Sequence, residues 1–475
     1  MPRLRFALIA SLVASTLAFA ETAPTHIAPV DVATAIKLRD QAMNDGTAYA
    51  IVAGLSTEIG PRLAGGVNDQ RARDWVAARF KALGFDKVTS EPVKFPRWVR
   101  DSEHAEILAP YPQKLAVLAL GGSVGTPKGG VSADVVAFKT LDELKAASAA
   151  QLKDKIAYIG FHMAASKDGH TYGEAVGARV VGASVAASFG AKAIVIRSIG
   201  SDNERLPHTG VMQYDTKIAR IPAAAISNSD ADLLEHMLTL GKPVRLNLAL
   251  DCGTQGEYTG ANVIGEITGS EHPEEVIVIG GHLDSWDPGT GAIDDGAGVA
   301  ITMAAAHLIG QLPQRPKRTI RVVAFANEEA GMYGANAYAE AHKNEVAKHL
   351  IGSESDFGAG RIWRLSAQVK PEALGAIDQI MQVLAPLDVQ RGGDHAHGGD
   401  FGAMGAQGMA ILDLGQDGTD YFNWHHTAND TMDKIDPKAL AQNVAVYATY
   451  AYMAAQAIGD FGSKPGAFAS AKEQE

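Results

Sequence analysis

The stretch Glu275-Val276-Ile277-Val278-Ile279-Gly280-Gly281-His282-Leu283-Asp284-Ser285-Trp286, with Gly291-Ala292-Ile293-Asp294-Asp295-Gly296-Ala297-Gly298 close behind it, decides the fold. A β-branched run that stops at glycines reads as a strand buried on both faces. Gly298–Gln311 then has the small and apolar residues of a buried helix, and Thr319–Phe325 is a second strand of the same character. Working outward, a strand at Asn262–Ile267 precedes the stretch, a helix opens at Tyr333, and a strand at Met409–Leu414 comes late. Strands alternating with helices imply an α/β fold with a mostly parallel central sheet flanked by helices.

The flanking segments have a different texture. Residues 31–59 and 69–84 carry helical periodicity, with Asn68 and Asp69 as caps of the second helix and Gly84 as its stop. From Ala109-Pro110-Tyr111-Pro112 to about residue 250, short runs (Asp134–Phe138, Lys155–Ile159, Ala193–Arg197) alternate with Ala-rich helical stretches. This reads as a smaller α/β module, 112–252, inserted into a larger unit made of 21–111 and 253–475. The tail Gly462–Glu475 has little to bury and is expected to fray. At the other end, Arg3 and Arg5, an apolar run Phe6–Leu17 and Ala18-Phe19-Ala20 make Met1–Ala20 a cleaved signal peptide. That run is short of the ~20 residues a membrane span needs. The expectation is an exported protein, periplasmic or extracellular, with no stable membrane span.

The 475 residues carry 42 Lys+Arg against 54 Asp+Glu, a net charge of −12, which argues against nucleic acid as a partner. A single cysteine, Cys252, excludes an intramolecular disulfide and a thiolate metal site, and reads as a buried inert thiol. A metal would rest on His, Asp and Glu. In open α/β sheets ligands bind beyond the carboxyl ends of strands. There the chain places His282 and Asp284, Asp294-Asp295, Asn327-Glu328-Glu329, Asp356 after Leu350–Ser355, and Trp424-His425-His426-Thr427. Carboxylates and imidazoles without thiols suit a hydrolytic ion such as Zn²⁺. Asp294, in a Gly-flanked turn, is the natural bridge of a two-metal site, although Asp294-Asp295 would also serve as a helix cap. Of Glu328 and Glu329, one can ligate while the other faces the water as general base. Asp284 is placed to hydrogen-bond the far nitrogen of His282. His395 and His397 either bind a metal or belong to a mobile, substrate-side Gly-rich loop, Gly392–Gly399, and the Gly-rich pattern favours the loop. Asp400 and Phe401 either line a specificity pocket or pack the loop, and His208 reads as a turn residue or a binding group.

These motifs, together with Gly60-Pro61-Arg62-Leu63, Pro207-His208-Thr209-Gly210 and Pro316-Lys317-Arg318-Thr319, resemble the co-catalytic zinc exopeptidases of the aminopeptidase/glutamate carboxypeptidase superfamily. The likeness runs from about Ala35 to Ala455. The inserted segment resembles a protease-associated domain, through Gly190–Arg197 and Ile221-Pro222-Ala223. The resemblance implies the zinc-peptidase fold and two Zn²⁺ per chain. His282, Asp294 and Asp356 would hold one ion, and Asp294, Glu329 and His426 the other, with Glu328 as general base. Glu354 competes with Asp356, and the match of Glu354-Ser355-Asp356 favours Asp356. A cis peptide is expected at Asp294–Asp295. His425 takes the place of an oxyanion-holding residue that is often tyrosine in other branches. The implied substrates are dipeptides or N-terminal residues of short peptides, and a homodimer is implied too. The alternatives are a glutamate-type carboxypeptidase, whose Arg cluster the sequence does not locate, a single-zinc glutaminyl cyclase, and a non-catalytic receptor-like binding protein.

Overall fold

Strand β1 (Lys87–Ala109) leads into β2 (Val131–Phe138), β3 (Ile156–Ile159), β4 (Ala193–Arg197) and β5 (Ala223–Ile226). Then follow β6 (Arg245–Ile267), β7 (His272–His282), β8 (Arg318–Phe325), β9 (His349–Glu354), β10 (Ile362–Gln368) and β11 (Ile411–Gln416). The computed structural model describes residues 23–468; the Met1–Ala20 segment and residues 469–475 lie outside the described residues.

The strands order as β10-β11-β9-β7-β8-β6-β2-β3-β4-β5. Two parallel sets stand at the two ends: β8, β7, β9 and β11 in one, β2 to β5 in the other. Between them β1 and β6, each 23 residues long, pair antiparallel from Lys87–Glu266 to Ala109–Arg245. Cys252 and Gly253 fall in the middle of β6, where the backbone passes from one set to the other beside β1, with register shifts at Pro96/Trp98 and Arg100/Ser102.

The central strands are buried because both faces are covered. Val276 to His282 of β7 are all buried, as expected of an apolar run in a parallel sheet. Helix α1 (Pro29–Ala42) and helix α2 (Thr47–Gly54) occupy the periodic segment 31–59, split by a turn in which Asp45 accepts from the Thr47 amide. Helix α3 (Asp69–Ala82) ends before Gly84, whose φ of 80° is the left-handed conformation glycine tolerates. Asn68 does not cap α3. Its amide instead donates to the Ile59 and Pro61 carbonyls, while Asp69 accepts from Gly65, so both side chains fasten the preceding loop. Helix α4 (His170–Ser188) packs on the β2–β5 set. Helix α5 (Ala297–Gly310) and helix α6 (Pro437–Gln456) are the core of the other half, α6 buried through nearly its whole length. The stretch Ala292–Gly310 is long and apolar enough to cross a membrane, yet 94% of it lies inside the fold.

β1 is the element the periodicity misses. Its residues alternate poorly and include Pro92 and Pro96, and a proline argues against a central strand. The prolines are tolerated because β1 pairs with β6 on one side only through that stretch, with a bulge between Pro96 and Trp98. The tail differs from expectation as well. Residues 462–468 are docked, since Ser463 Oγ donates to Leu350 O and accepts from the Ala410 amide.

Candidate metal centre

The carboxyl ends of β7, β8 and β9 deliver the site. β7 ends at His282, whose amide donates to Asp295 Oδ2 at 3.0 Å; Asp295 Oδ1 accepts from the Gly298 amide at 2.9 Å. Asp295 is therefore the helix cap, and Asp294 is left to face the cavity. This needs close backbones: a Cβ on Gly281 would meet Asp295 Oδ2 at 2.3 Å, and one on Gly298 would meet Ser355 O at 1.8 Å. The Asp294–Asp295 peptide is cis, as expected.

Asp294, 3% exposed, turns Oδ1 to His282 Nε2 (3.1 Å) and Oδ2 to His426 Nε2 (3.2 Å). Around His282, Asp356 Oδ1 stands 3.5 Å from Nε2. Around His426, Glu329 Oε2 stands 3.0 Å from Nε2. Glu354, the competitor of Asp356, instead turns Oε2 to the Asp400 amide at 2.5 Å. Glu328 Oε2 lies 4.0 Å from His282 Nε2 and faces the same cavity. Burial, reinforced by the charges of Asp356, Asp400 and Glu329, holds the Glu328 carboxyl well above the usual range. Burial and Asp294 push Glu329 up to about 7. Burial lowers His282 and His426, but the carboxylates outweigh it, lifting His426 to about 9.

His425 stacks on His426 with ring centroids 3.5 Å apart, and its Nε2 lies 3.5 Å from Asp294 Oδ2. Burial and the neighbouring His426 charge keep it well below the ordinary imidazole range, so it is neutral. Asp284 acts otherwise than expected. The far nitrogen of His282 is 3.0 Å from the Asp284 backbone carbonyl, while the Asp284 carboxylate accepts from the Glu328 and Glu329 amides at 3.1 and 3.3 Å. One residue thus orients the imidazole with its main chain and the two glutamates with its side chain.

Further supports escaped sequence reasoning. Arg62 is 1% exposed and donates to Leu283, Thr290 and Gly291 carbonyls, each at 2.7 Å, framing the loop between His282 and Asp294. Asp430 accepts from the Ile293 amide at 2.7 Å and the Asp294 amide at 3.3 Å. A cavity of about 450 Å³ opens over Asp294, Glu328, Glu329, Asp356, His425 and His426, and its far wall includes Tyr172 and Arg179 from α4. His395 and His397 are exposed, outside the site; Asp400 and Phe401 are buried behind it. Cys252 is half-buried within β6.

The donor set fits a metal. Asp294 Oδ2 and Glu329 Oε1 are buried without a hydrogen-bond partner, which is costly unless a cation satisfies them. Three sets of ligand atoms gather there: Asp294, His425 and His426; His282, Asp295 and Asp356; and His282, Asp294 and Glu329. A cysteine-free cluster of carboxylates and imidazoles at the strand ends of an α/β sheet, with a raised glutamate over an open cavity, is the arrangement of a hydrolytic metal centre.

Comparison with known proteins narrows the class. Peptidase family M28 matches residues 262–451. Carboxypeptidase Q of Homo sapiens is 36% identical over 410 residues, covering 86% of this chain and 85% of that protein. The solved peptidase M28 precursor of Shewanella amazonensis is 48% identical with a TM-score of 0.89, covering 92% of this chain and 98% of that one. A zinc aminopeptidase of Bacillus subtilis shares the fold at 21% identity and a TM-score of 0.60, covering 85% of this chain and 94% of that one. The chain belongs to peptidase family M28 and is a metal-dependent exopeptidase.

Proposed function

We propose that this exopeptidase hydrolyses dipeptides and short peptides with two zinc ions. His282, Asp294 and Asp356 hold one ion and Asp294, Glu329 and His426 the other. The observation that carries this reading is Asp294, which offers one carboxylate oxygen to each imidazole. Zinc bound there supplies the Lewis acidity that activates water near neutral pH and polarises the scissile carbonyl. Glu328, with its raised affinity for a proton, takes the proton of the attacking water and returns it to the leaving amine. His425, neutral and beside Asp294, donates an N–H to the developing oxyanion.

Arg179 supports the substrate class. It is 5% exposed; Nε donates to Val211 O at 3.2 Å and Nη2 to Tyr172 Oη at 2.6 Å. Nη1 has no partner, and no carboxylate pairs with Arg179 among the described residues. A buried unpaired guanidinium on a substrate cavity suits a ligand carboxylate. The free C-terminus of a dipeptide or short peptide is such a group. A glutamate-selective pocket would want further cations, and among the described residues Arg179 is the one Lys or Arg lining this cavity.

In this reading residues 112–252 are an inserted module that lends Tyr172 and Arg179 to the catalytic unit. Met1–Ala20 exports the protein, supported by its charged start, apolar run and Ala18-Phe19-Ala20; a mature N-terminus at Glu21 tests that. For the activity, zinc analysis is combined with rates on a dipeptide, its C-terminal amide and its N-acetyl derivative. Two zinc per chain and hydrolysis of the dipeptide far faster than of its amide are expected. One zinc per chain, or equal rates on the amide, would overturn the corresponding half of the proposal.

A further inference from the structure

The metal histidine His426 has a φ of +64°, a left-handed conformation that a non-glycine residue holds only when its surroundings enforce it. The enforcing contacts come from the loop after β4. His208, 2% exposed, places Nδ1 2.7 Å from the His425 carbonyl and Nε2 2.6 Å from Asp202 Oδ2. Both partners are acceptors, so the ring is held between a backbone carbonyl and the buried Asp202 carboxylate. Next to it, the Thr209 amide donates to the His426 carbonyl at 3.2 Å, and Thr209 O lies 3.3 Å from His426 Nδ1. The peptide groups on both sides of His426 are thereby held by residues 208 and 209. The ring of His208 has its place because residue 200 is glycine: a Cβ there would lie 2.3 Å from the imidazole. Asn228 fastens the other end, donating to Gly200 O at 3.2 Å and Asp202 O at 3.1 Å.

We infer that His208 is a positioning residue for the metal centre: backed by Asp202, it holds the His425 carbonyl and so sets the backbone from which His426 reaches its ion. The inference rests on the two-ion reading. It makes the segment between β4 and β5 a working part of one ion's site, although none of its side chains touches that ion.

The test contrasts two amides. In H208N the side-chain nitrogen takes roughly the place of Nδ1 and can still donate to the His425 carbonyl. In H208Q it takes the place of Nε2 and keeps only the Asp202 contact. Zinc is titrated calorimetrically into the chelated full-length protein, with H426A identifying the step that belongs to His426. The expected result is a 10–100-fold loss of affinity in that step for H208Q, the other step unchanged, and H208N close to wild type. Equal behaviour of the two variants, or an unmoved step in both, would overturn the inference. The metal-free melting temperature separates a fold-only effect, which would lower both variants alike and leave zinc affinity intact. A wild type with a single binding step overturns the two-ion reading, and the contrast of H208N with H208Q on that step still decides the role of His208.

Discussion

The two imidazoles that flank Asp294 are held in opposite ways. His282 ends a central parallel strand, and its supports are close at hand: Asp295 on its amide, the Asp284 carbonyl on its ring, and Arg62 on the loop that follows. His426 sits in an irregular segment with positive φ, and its backbone is gripped by Thr209 and, through His425, by His208. Ser201 adds to that grip through the Phe422 carbonyl and Asn423 Oδ1. One half of the centre is made by the sheet itself. The other half needs residues that arrive between β4 and β5 in the chain. The difference teaches that these residues, with Tyr172 and Arg179 from α4, build the site as well as roof it.

Glu328 lies over the half formed by His282, and its removal should have the largest effect. E328Q is expected to cut kcat by about 10²–10⁴-fold while zinc content stays at the wild-type value. Metal analysis beside steady-state rates checks this, and retained turnover would mean another group takes the proton. Next comes Arg179, on α4. R179Q should raise KM for a free dipeptide by roughly tenfold or more, in line with a lost charge-assisted hydrogen bond of about 1.5–3 kcal/mol. The same variant should hardly alter the rate on the C-terminal amide. If both substrates suffer equally, Arg179 is supporting the wall of the cavity and reads no carboxylate.

A third variant probes the sheet-made half alone. R62K replaces a planar fork serving three carbonyls at 2.7 Å with one ammonium that cannot reach them all. Melting should move down by several degrees, corresponding to about 1–3 kcal/mol for buried carbonyls left unsatisfied. The zinc step assigned to His426 should stay put. A loss confined to that step would show that the two halves are coupled through Asp294 more tightly than their separate scaffolds imply.

Much of the His282 half was legible in sequence because strand, glycine turn and helix cap are local patterns. His282, Asp294 and Glu328 stand close to such a boundary, and so does Glu329 of the other half. Asp356 stands at a strand end in the sequence, but its choice over Glu354, the last residue of β9, rests only on resemblance until the turn of Glu354 toward Asp400 is seen. The other half was harder. Arg179 lies in an Ala- and Gly-rich helix where nothing nearby marks it, and its unpaired Nη1 is a fact of tertiary packing. His208 reads as a turn residue because its two partners are 6 and 217 residues away. Polar and proline-interrupted, β1 hides its pairing with β6 for the same reason: the pattern that explains it is on another strand.

The last expected effect, one of acid stability alone, belongs to neither half and keeps the comparison clean. His349 opens β9, at the end of the strand opposite Asp356. It is 1% exposed, with Nε2 2.8 Å from Tyr338 Oη and 3.3 Å from Arg321 Nη1. Burial pushes it down to about 4. A histidine depressed on folding binds its proton more readily in the unfolded chain, so stability is full above the unfolded value of about 6.5 and falls as pH drops toward 4. The loss should reach about 3 kcal/mol across that window, because each tenfold difference in proton affinity between the folded and unfolded chain is worth about 1.4 kcal/mol. Denaturant unfolding of metal-free protein at pH 7 and pH 4.5 measures it, with H349Q expected to flatten the dependence. Acid sensitivity that survives in H349Q would have to come from the metal centre or from another buried group, and the variants of each half would then be compared only above pH 6.5, where His349 contributes no slope.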